Sequence, residues 1–355
     1  MKFGEVETFE LNTNYEFRVS VKGAEGNFSG LLKLSPSGIT IRISGDQQQN
    51  RRWGDIEWKL ESLKCESFKW NFILFDLHAV KSAHFMLQSQ PNATQHFEVD
   101  YTASHAVISA SGVAEPEIRE LQLFSPTLKE WIGHTEKQEE IVRDQMIGSA
   151  VGLKSHFGDF DTREISIDIK GLGEIYVNYN IKGRASPLTF SVGVEFPPSF
   201  CICLNDRIAT DEIMRLYQKS YAFLSLLHGH EIAMDRIILA SDDFINSDSY
   251  LYYPKPRLTV REENAYSLYP LGNKIRFDSL GLPALPLDSI ATYFSGDYKL
   301  TEKWNKYIKY RRMNNAEERF LGYFRLLESL TKNSKTFLDP EPVSYTHLTL
   351  PTSAL

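Results

Sequence analysis

The chain has 355 residues, of which 42% are hydrophobic and 24% are charged, so it is long enough for two globular domains with sizeable cores. Its formal net charge of −7 excludes a molecule whose whole surface attracts nucleic acid, although a local basic patch is compatible with it. No apolar stretch approaches the roughly 18 residues of a membrane span, and the amino terminus has no apolar signal region. The three cysteines are too few for a disulfide framework, so we expect a cytoplasmic protein with no membrane partner.

Residues 1–205 predict a β-rich domain. In residues 39–43, isoleucines alternate with polar residues, as in a strand with one buried face. The Pro-Ser-Gly sequence at 36–38 and the Lys-Gly-Leu-Gly sequence at 170–173 each predict a hairpin turn. Short strands separated by turns indicate a sandwich or an open barrel, interrupted by one helix over residues 125–147. The predicted strands are residues 30–34, 39–43, 72–75, 84–87, 96–99, 164–169, 174–179 and 190–196.

Residues 206–286 are predicted to be a mixed α/β continuation of this domain. Thr210 is placed to cap a helix, and Gly229 is a natural residue to follow its last turn. Two short strands are predicted at residues 237–239 and 251–253. The predicted apolar stripe of the helix is Ile213, Leu216, Tyr217, Tyr221, Leu224 and Leu227.

Residues 287–342 predict a helical domain, so the predicted fold class is α+β. The clearest helices are residues 301–313 and 316–330, and Asn315 is a good cap for the second of them. One face of that helix is widened by Tyr323, Leu326 and Leu330 and consists of Phe320, Phe324, Leu327 and Thr331. This helix is either an ordinary core helix or the opening of a helical domain that the chain does not complete. Residues 343–355 look like translated sequencing adapter, and we expect them to be foreign.

Three candidate sites are explained more simply as structural features than as metal-binding or catalytic sites. The sequence His228-Gly229-His230-Glu231 offers metal ligands, but at a helix end and without the usual helical spacing of two histidines. Cys201 and Cys203 would share one face of a strand, but no further zinc ligands are near them in the sequence. Asp159 and Asp161 could be half of a carboxylate pair for glycoside cleavage, but nothing in the sequence supplies the acid, and a solvated turn is the simpler interpretation. With no nucleophile elbow, P-loop or dinucleotide fingerprint, we predict no catalytic residues, cofactor or metal.

Basic residues crowd the first of the two clear helices. They are interleaved with Trp304, Tyr307 and Ile308, and such a surface can hold a phosphate backbone and stack bases. A solvated charged face of an amphipathic helix is the alternative interpretation. The predicted nucleic-acid-binding residues are Lys303, Lys306, Lys309, Arg311 and Arg312.

The Glu-Arg-Phe-Leu sequence at 318–321, continuing through Phe324, Leu327 and Glu328, resembles the opening of the HEPN domain in ApeA-type bacterial anti-phage proteins. Residues 28–31, 38–41 and 63–65 resemble the β-rich N-terminal domain of that family, and residues 226–229 resemble its Leu-Leu-x-Gly helix end. The resemblance implies a cytoplasmic defence protein whose N-terminal domain senses or regulates and whose HEPN domain cuts RNA in infected cells. The implied partners are RNA, a phage-derived trigger and a second copy of the chain.

HEPN ribonucleases carry an Arg and a His a few residues apart on a late helix, and no histidine of this chain follows an Arg at that spacing. No catalytic residue can therefore be transferred, which fits either a truncated chain or a copy that is not a nuclease. Two functions remain open. One is the sensing part of an abortive-infection ribonuclease, and the other is a carbohydrate-binding or carbohydrate-active β-sandwich. Exposed aromatic residues along one sheet face beside paired carboxylates would favour the second.

Overall fold

The computed structural model describes most of the sheet region and the last three helices. The described residues are 9–23, 26–48, 58–86, 94–111, 117–132, 135–150, 162–180, 182–186, 191–228, 231–241, 249–254, 287–296, 298–311 and 313–331. The chain divides into two compact units, residues 1–301 and residues 302–355, and the division falls within a helix. We call them the sheet unit and the helical unit. The predicted foreign tail, residues 343–355, lies outside the described residues.

Fifteen strands and six helices are described. The strands are β1 (Tyr15–Gly23), β2 (Gly26–Ser35), β3 (Gly38–Gln48), β4 (Lys59–Glu66), β5 (Trp70–Met86), β6 (Thr94–Ala103), β7 (His105–Ala110), β8 (Ile118–Phe124), β9 (Arg163–Ile169), β10 (Gly173–Tyr179), β11 (Lys182–Ser186), β12 (Ser191–Glu195), β13 (Pro198–Ile208), β14 (Arg236–Ala240) and β15 (Ser249–Tyr253). The helices are α1 (Pro126–Ile132), α2 (Glu136–Ala150), α3 (Ile213–His228), α4 (Leu287–Ser295), α5 (Tyr298–Arg311) and α6 (Ala316–Thr331). The predicted α+β class is confirmed.

Thirteen strands form one antiparallel sheet, in the order β4-β1-β2-β3-β6-β5-β7-β15-β14-β8-β13-β10-β9. Because β4 also pairs with β5, the first six strands of that order close into a ring. The predicted hairpin of β2 and β3 is confirmed, with Ser35 opposite Gly38. Alternating residues of these strands point into the ring, as the period of two requires. The buried residues there include Val19, Val21, Leu32, Leu34, Ile39, Ile41, Ile43, Phe72, Leu74, Leu77 and Val99.

The prediction of two separate strands at 72–75 and 84–87 is corrected by the structure, because residues 72–75 and 84–86 lie in the single long strand β5, and residue 87 lies outside the described residues. The first part of β5 pairs with β4 and β7, and its second part pairs with β6. Asp76 has a φ of 49°, and the register with β6 shifts between Ala79 and Lys81. These two irregularities change the direction of the strand and interrupt the alternation on which the prediction depended.

The prediction of one helix over residues 125–147 is also corrected by the structure, because two helices are found there. Ser125 caps α1, since its Oγ accepts a hydrogen bond of 3.1 Å from the Thr127 N–H. Thr135 caps α2 in the same way, with 3.2 Å from the Gln138 N–H to its Oγ1. A second cap starts a second helix, which explains the break. The apolar residues Leu128, Ile132 and Ile141 of these two helices are buried.

The two strands from residues 206–286 belong to the main sheet, where β14 pairs with β8 and β15 pairs with β7. Helices α3 and α4 are linked to this part of the sheet by aromatic contacts. The ring of Phe200 on β13 lies 6.1 Å from that of Phe223 on α3 and 6.4 Å from that of Phe294 on α4. All six residues of the predicted α3 stripe are buried, so that prediction is confirmed. Among the described residues, no helix is long and apolar enough to cross a membrane.

Candidate functional site

Helix α6 of the helical unit is well capped. The Asn315 Oδ1 accepts hydrogen bonds from the backbone N–H groups of Glu317 and Glu318, at 2.9 and 3.5 Å. These bonds satisfy donors that the first turn of a helix leaves without intrahelical partners. The two acidic side chains also suit the positive end of the helix dipole. The predicted cap of α6 is therefore confirmed.

Helices α5 and α6 pack through aromatic rings and a glycine. A Cβ atom at Gly322 would lie 2.5 Å from Cγ of Tyr310, so only glycine leaves room for that ring. The rings of Tyr307 and Tyr323 stack at 5.6 Å between centroids. Gly322 and Leu326 are the buried residues of α6. The face of α6 that packs against α5 is therefore the Gly322 and Leu326 face.

The predicted stripe of α6 lies on the outside. Phe320, Phe324 and Leu327 are 67%, 58% and 61% exposed, and Leu321 and Leu330 beside them are exposed as well. We call Phe320, Phe324 and Leu327 the apolar stripe. The core-helix interpretation is therefore wrong for the part of the chain that the structure describes. An apolar surface of this kind on a helix usually marks a contact with another helix or another chain.

The predicted basic residues of α5 differ in their surroundings. The Lys303 Nζ donates a hydrogen bond of 3.3 Å to the Ser329 carbonyl near the carboxyl end of α6. The Lys306 Nζ lies 2.8 Å from Glu302 Oε1 one helical turn earlier, and this contact lowers the pKa of Glu302. Lys309 is exposed, whereas Arg311 is half-buried beside Tyr323. Burial raises the pKa of Tyr323, and the charge of Arg311 opposes only part of this rise. Arg312 lies outside the described residues.

A second cluster of polar residues lies on one face of the sheet, where β8, β13 and β10 are neighbours. The hydroxyl of Tyr176 donates a hydrogen bond to the buried carboxylate of Glu120, and burial raises the pKa of that tyrosine. The guanidinium of Arg163 lies 4.5 Å from the centre of the Tyr176 ring and 3.0 Å from Glu174 Oε2. These contacts compensate the buried carboxylate, as a buried charge requires.

The two cysteines of β13 lie on the same face of the sheet as this cluster. Cys201 is fully buried, and Cys203 beside it on β13 is half-buried; both are free thiols. Burial raises the pKa of the Cys201 thiol, so it stays protonated and unreactive at neutral pH. The neighbouring polar groups bond to one another, since the Gln122 Nε2 donates to the Ser199 Oγ at 2.8 Å. The arrangement is that of a structural polar network.

One buried histidine gave no signal in the sequence. His105 is 3% exposed, and its ring stacks on that of Phe75 at 4.7 Å and lies 5.7 Å from that of Tyr252. Neither ring nitrogen has a hydrogen-bond partner among the described residues. Burial lowers the pKa of His105 to about 4, opposed by the charge of Asp76. The imidazole is therefore neutral at pH 7, and it is a buried ionisable group held by aromatic rings, with no hydrogen-bond partner among the described residues.

The other candidate sites add no ligand cluster. His228 is buried at the end of α3, while Gly229, His230, Asp159 and Asp161 lie outside the described residues. Within the described ranges, no group of three or more His, Cys, Asp or Glu side chains could hold a metal ion. The most distinctive surface of the described chain is thus the helical unit, with its exposed apolar stripe on α6 and basic residues on α5.

A comparison with known protein families assigns most of the sheet unit to one family. The family model described as ApeA N-terminal domain 1 matches residues 13–285. The chain belongs to this family. The match begins just before β1, includes every described strand and ends before α4, so the resemblance of the β-rich part to ApeA-type anti-phage proteins is confirmed. No curated protein and no solved structure matches. The HEPN resemblance concerns α6, outside the matched residues, and stays a prediction.

Proposed function

We propose that the ApeA N-terminal domain of this chain is the sensing and regulatory part of a cytoplasmic anti-phage protein of the abortive-infection type. Helices α5 and α6 then begin a HEPN-type ribonuclease domain that acts on RNA in infected cells. Its catalytic Arg and His lie beyond these two helices, because no histidine of this chain has an Arg at the spacing that such ribonucleases use. The trigger for the sheet unit is a phage-derived molecule.

The observation that carries this proposal is the apolar stripe. Helices α5 and α6 have 14 and 16 residues, and helices of this length depend on tertiary packing for their stability. Only Gly322 and Leu326 of α6 are buried, while Phe320, Phe324 and Leu327 are exposed. A folded helical domain would cover such a stripe with further helices. A helix pair with one face left open is what the beginning of a larger helical domain presents.

The basic residues fit the proposed RNA partner to different extents. Lys309 is exposed and is best placed to contact a phosphate, and Arg311 lies one half-turn further along α5. Lys303 and Lys306 are engaged by the Ser329 carbonyl and by Glu302. RNA binding through this helix would therefore depend mainly on Lys309, Arg311 and Arg312. Lys306 would contribute only after its ion pair with Glu302 has broken.

The carbohydrate alternative has no specific observation in its favour. Its signature would be aromatic side chains along an exposed sheet face beside paired carboxylates. The exposed aromatic residues described in the sheet unit are Trp58, just before β4, and Phe68, in the turn between β4 and β5. Residues at the ends of strands do not form a flat platform on which a sugar ring could stack.

The substitution Phe324→Asp tests whether the apolar stripe is an uncovered contact surface. We expect the 355-residue chain to bind a hydrophobic dye and to self-associate, because the stripe is exposed. Phe324→Asp should weaken self-association by about tenfold or more, which corresponds to about 1.4 kcal/mol of lost apolar burial. Sedimentation over a range of concentrations and dye fluorescence measure both effects.

The matched control is Arg325→Gln. It makes the same change in net charge at the neighbouring exposed position but leaves the stripe intact. Its association and dye binding should equal those of the unmodified chain. A monomer that binds no dye at any concentration would contradict the proposal, because the stripe would then be covered without further helices.

A further inference from the structure

Three hydrogen bonds join α3 to α4 and the residue that follows it, two of them donated from α3 and one donated from α4. The Nζ of Lys219 on α3 donates to the backbone carbonyl oxygens of Phe294 and Gly296, at 2.8 and 3.2 Å. In return, the hydroxyl of Tyr293 on α4 donates to the backbone carbonyl of Lys219 at 3.1 Å. We call this arrangement the Lys219 clasp. It fixes the carboxyl end of α4 to the middle of α3.

The ammonium group of Lys219 suits the carboxyl end of α4 electrostatically. The last carbonyl groups of a helix have no intrahelical partners and carry the negative end of the helix dipole. The Gly296 N–H closes the end of α4 by bonding back to the carbonyls of Thr292 and Tyr293, so the Phe294 and Gly296 carbonyls are left to Lys219. A cation that donates to both carbonyls therefore acts as a C-terminal cap supplied by a different helix.

The hydrogen bonds of the clasp can also break and form again, because water can replace them. The ammonium lies 5.8 Å from the centre of the Phe294 ring, and burial lowers the pKa of Lys219. The residue is only half-buried, so the ammonium regains water as soon as the end of α4 moves away. The aromatic contacts of Phe223 with Tyr293 and Phe294, at 4.9 and 5.3 Å, lie beside the clasp. The end of α4 is thus held by buried aromatic contacts and by a polar contact that water can replace.

The clasp lies close to the start of α5 in the chain. Gly296 is followed after one residue by Tyr298, the first residue of α5. The clasp therefore lies directly before the helices that carry the basic residues and the apolar stripe.

We propose that the Lys219 clasp is a latch that sets whether the end of α4 stays docked on α3, and that the sheet unit regulates the helices that follow through this latch. The regulatory purpose rests on the proposed function, whereas the latch itself does not. A change in the sheet unit that shifts α3 would open the clasp, and closing it would fix the start of α5.

Hydrogen exchange of the full chain tests the latch without any nuclease assay. Lys219→Met keeps the length of the side chain but removes the charge and the donors. We expect amide exchange at residues 290–296 to become about tenfold faster or more, because hydrogen bonds from a charged donor are lost. Tyr293→Phe should accelerate exchange in the same segment, and Lys219→Arg should preserve most of the protection. Exchange in β8, β13 and β14 should not change.

The control is Lys170→Met, which removes an exposed lysine in the turn between β9 and β10. It should leave α4 as protected as in the unmodified chain. Unchanged exchange in α4 for both Lys219→Met and Tyr293→Phe would overturn the latch. Equal acceleration in α4 and in the sheet strands would also overturn it, because Lys219 would then contribute only to global stability. If α4 opens as expected but the protein encoded by the genomic locus leaves RNA intact after infection, the latch stands and the proposed function fails.

Discussion

Acidification from pH 7 to pH 4 is expected to lower the free energy of unfolding of the sheet unit by about 3 kcal/mol through His105 alone. Burial holds the pKa of this histidine at about 4 in the folded chain, against 6.5 for an ordinary histidine, and the charge of Asp76 only partly opposes the effect. The unfolded chain therefore binds a proton between these two pH values and the folded chain does not. The stability contribution is complete above pH 6.5 and is lost progressively as the pH falls towards 4.

Urea denaturation at a series of pH values measures this effect. His105→Phe keeps an aromatic ring against Phe75 and Tyr252 but cannot be protonated, so the loss of stability between pH 6.5 and 4 should shrink by about the same 3 kcal/mol. Substituting the exposed His78 by Phe is the matched control and should leave the pH dependence as it is. An identical pH dependence for His105→Phe and the unmodified chain would contradict the assignment.

The second large effect is expected from Gly173→Ala, which should destabilise the sheet unit by about 3 kcal/mol or more. Gly173 has a φ of 135°, a conformation that costs about 1–3 kcal/mol for a residue with a side chain. An added Cβ would also lie 2.0 Å from the Cys203 carbonyl oxygen and 2.9 Å from the Asn205 N, which are backbone atoms. The start of β10 would have to separate from β13.

Thermal and urea denaturation of Gly173→Ala and Gly171→Ala measure this difference. Gly171, in the same turn, has a φ of 80°, and nothing lies within 4 Å of its added Cβ. Gly171→Ala should therefore cost only about 1 kcal/mol of conformational strain. Equal losses of stability for the two variants would show that the overlap with β13 is relieved without cost.

Strands whose apolar residues alternate with polar ones could be predicted from the sequence, and so could the short apolar strands β14 and β15, but two other strands that are buried on both faces could not. In β2 and β3 the alternation of apolar and polar residues is visible, and the turn residues between them fix the hairpin. In β7 and β8 nearly every residue is buried, including Glu120 and Gln122. Such strands show no alternation and contain polar residues whose partners lie on distant strands, so neither strand was predicted.

The last helix shows why periodicity identifies a helix but not the face that it buries. Phe320, Phe324 and Leu327 give a strong apolar stripe, yet α6 packs through Gly322 and Leu326. A glycine contributes nothing to hydrophobic periodicity, but here it admits the ring of Tyr310. The Lys306 contact with Glu302 follows from the spacing of four residues, whereas the Lys303 contact with the Ser329 carbonyl depends on how the two helices pack.

RNA integrity in phage-infected cells tests the central proposal most directly. Cells would carry either the protein encoded by the genomic locus or the 355-residue chain. The account predicts that the locus-encoded protein degrades RNA after infection and not before, while the 355-residue chain leaves RNA intact, because no histidine of this chain has an Arg at the required spacing. Intact RNA in infected cells that carry the locus-encoded protein, or equal degradation without infection, would contradict the account.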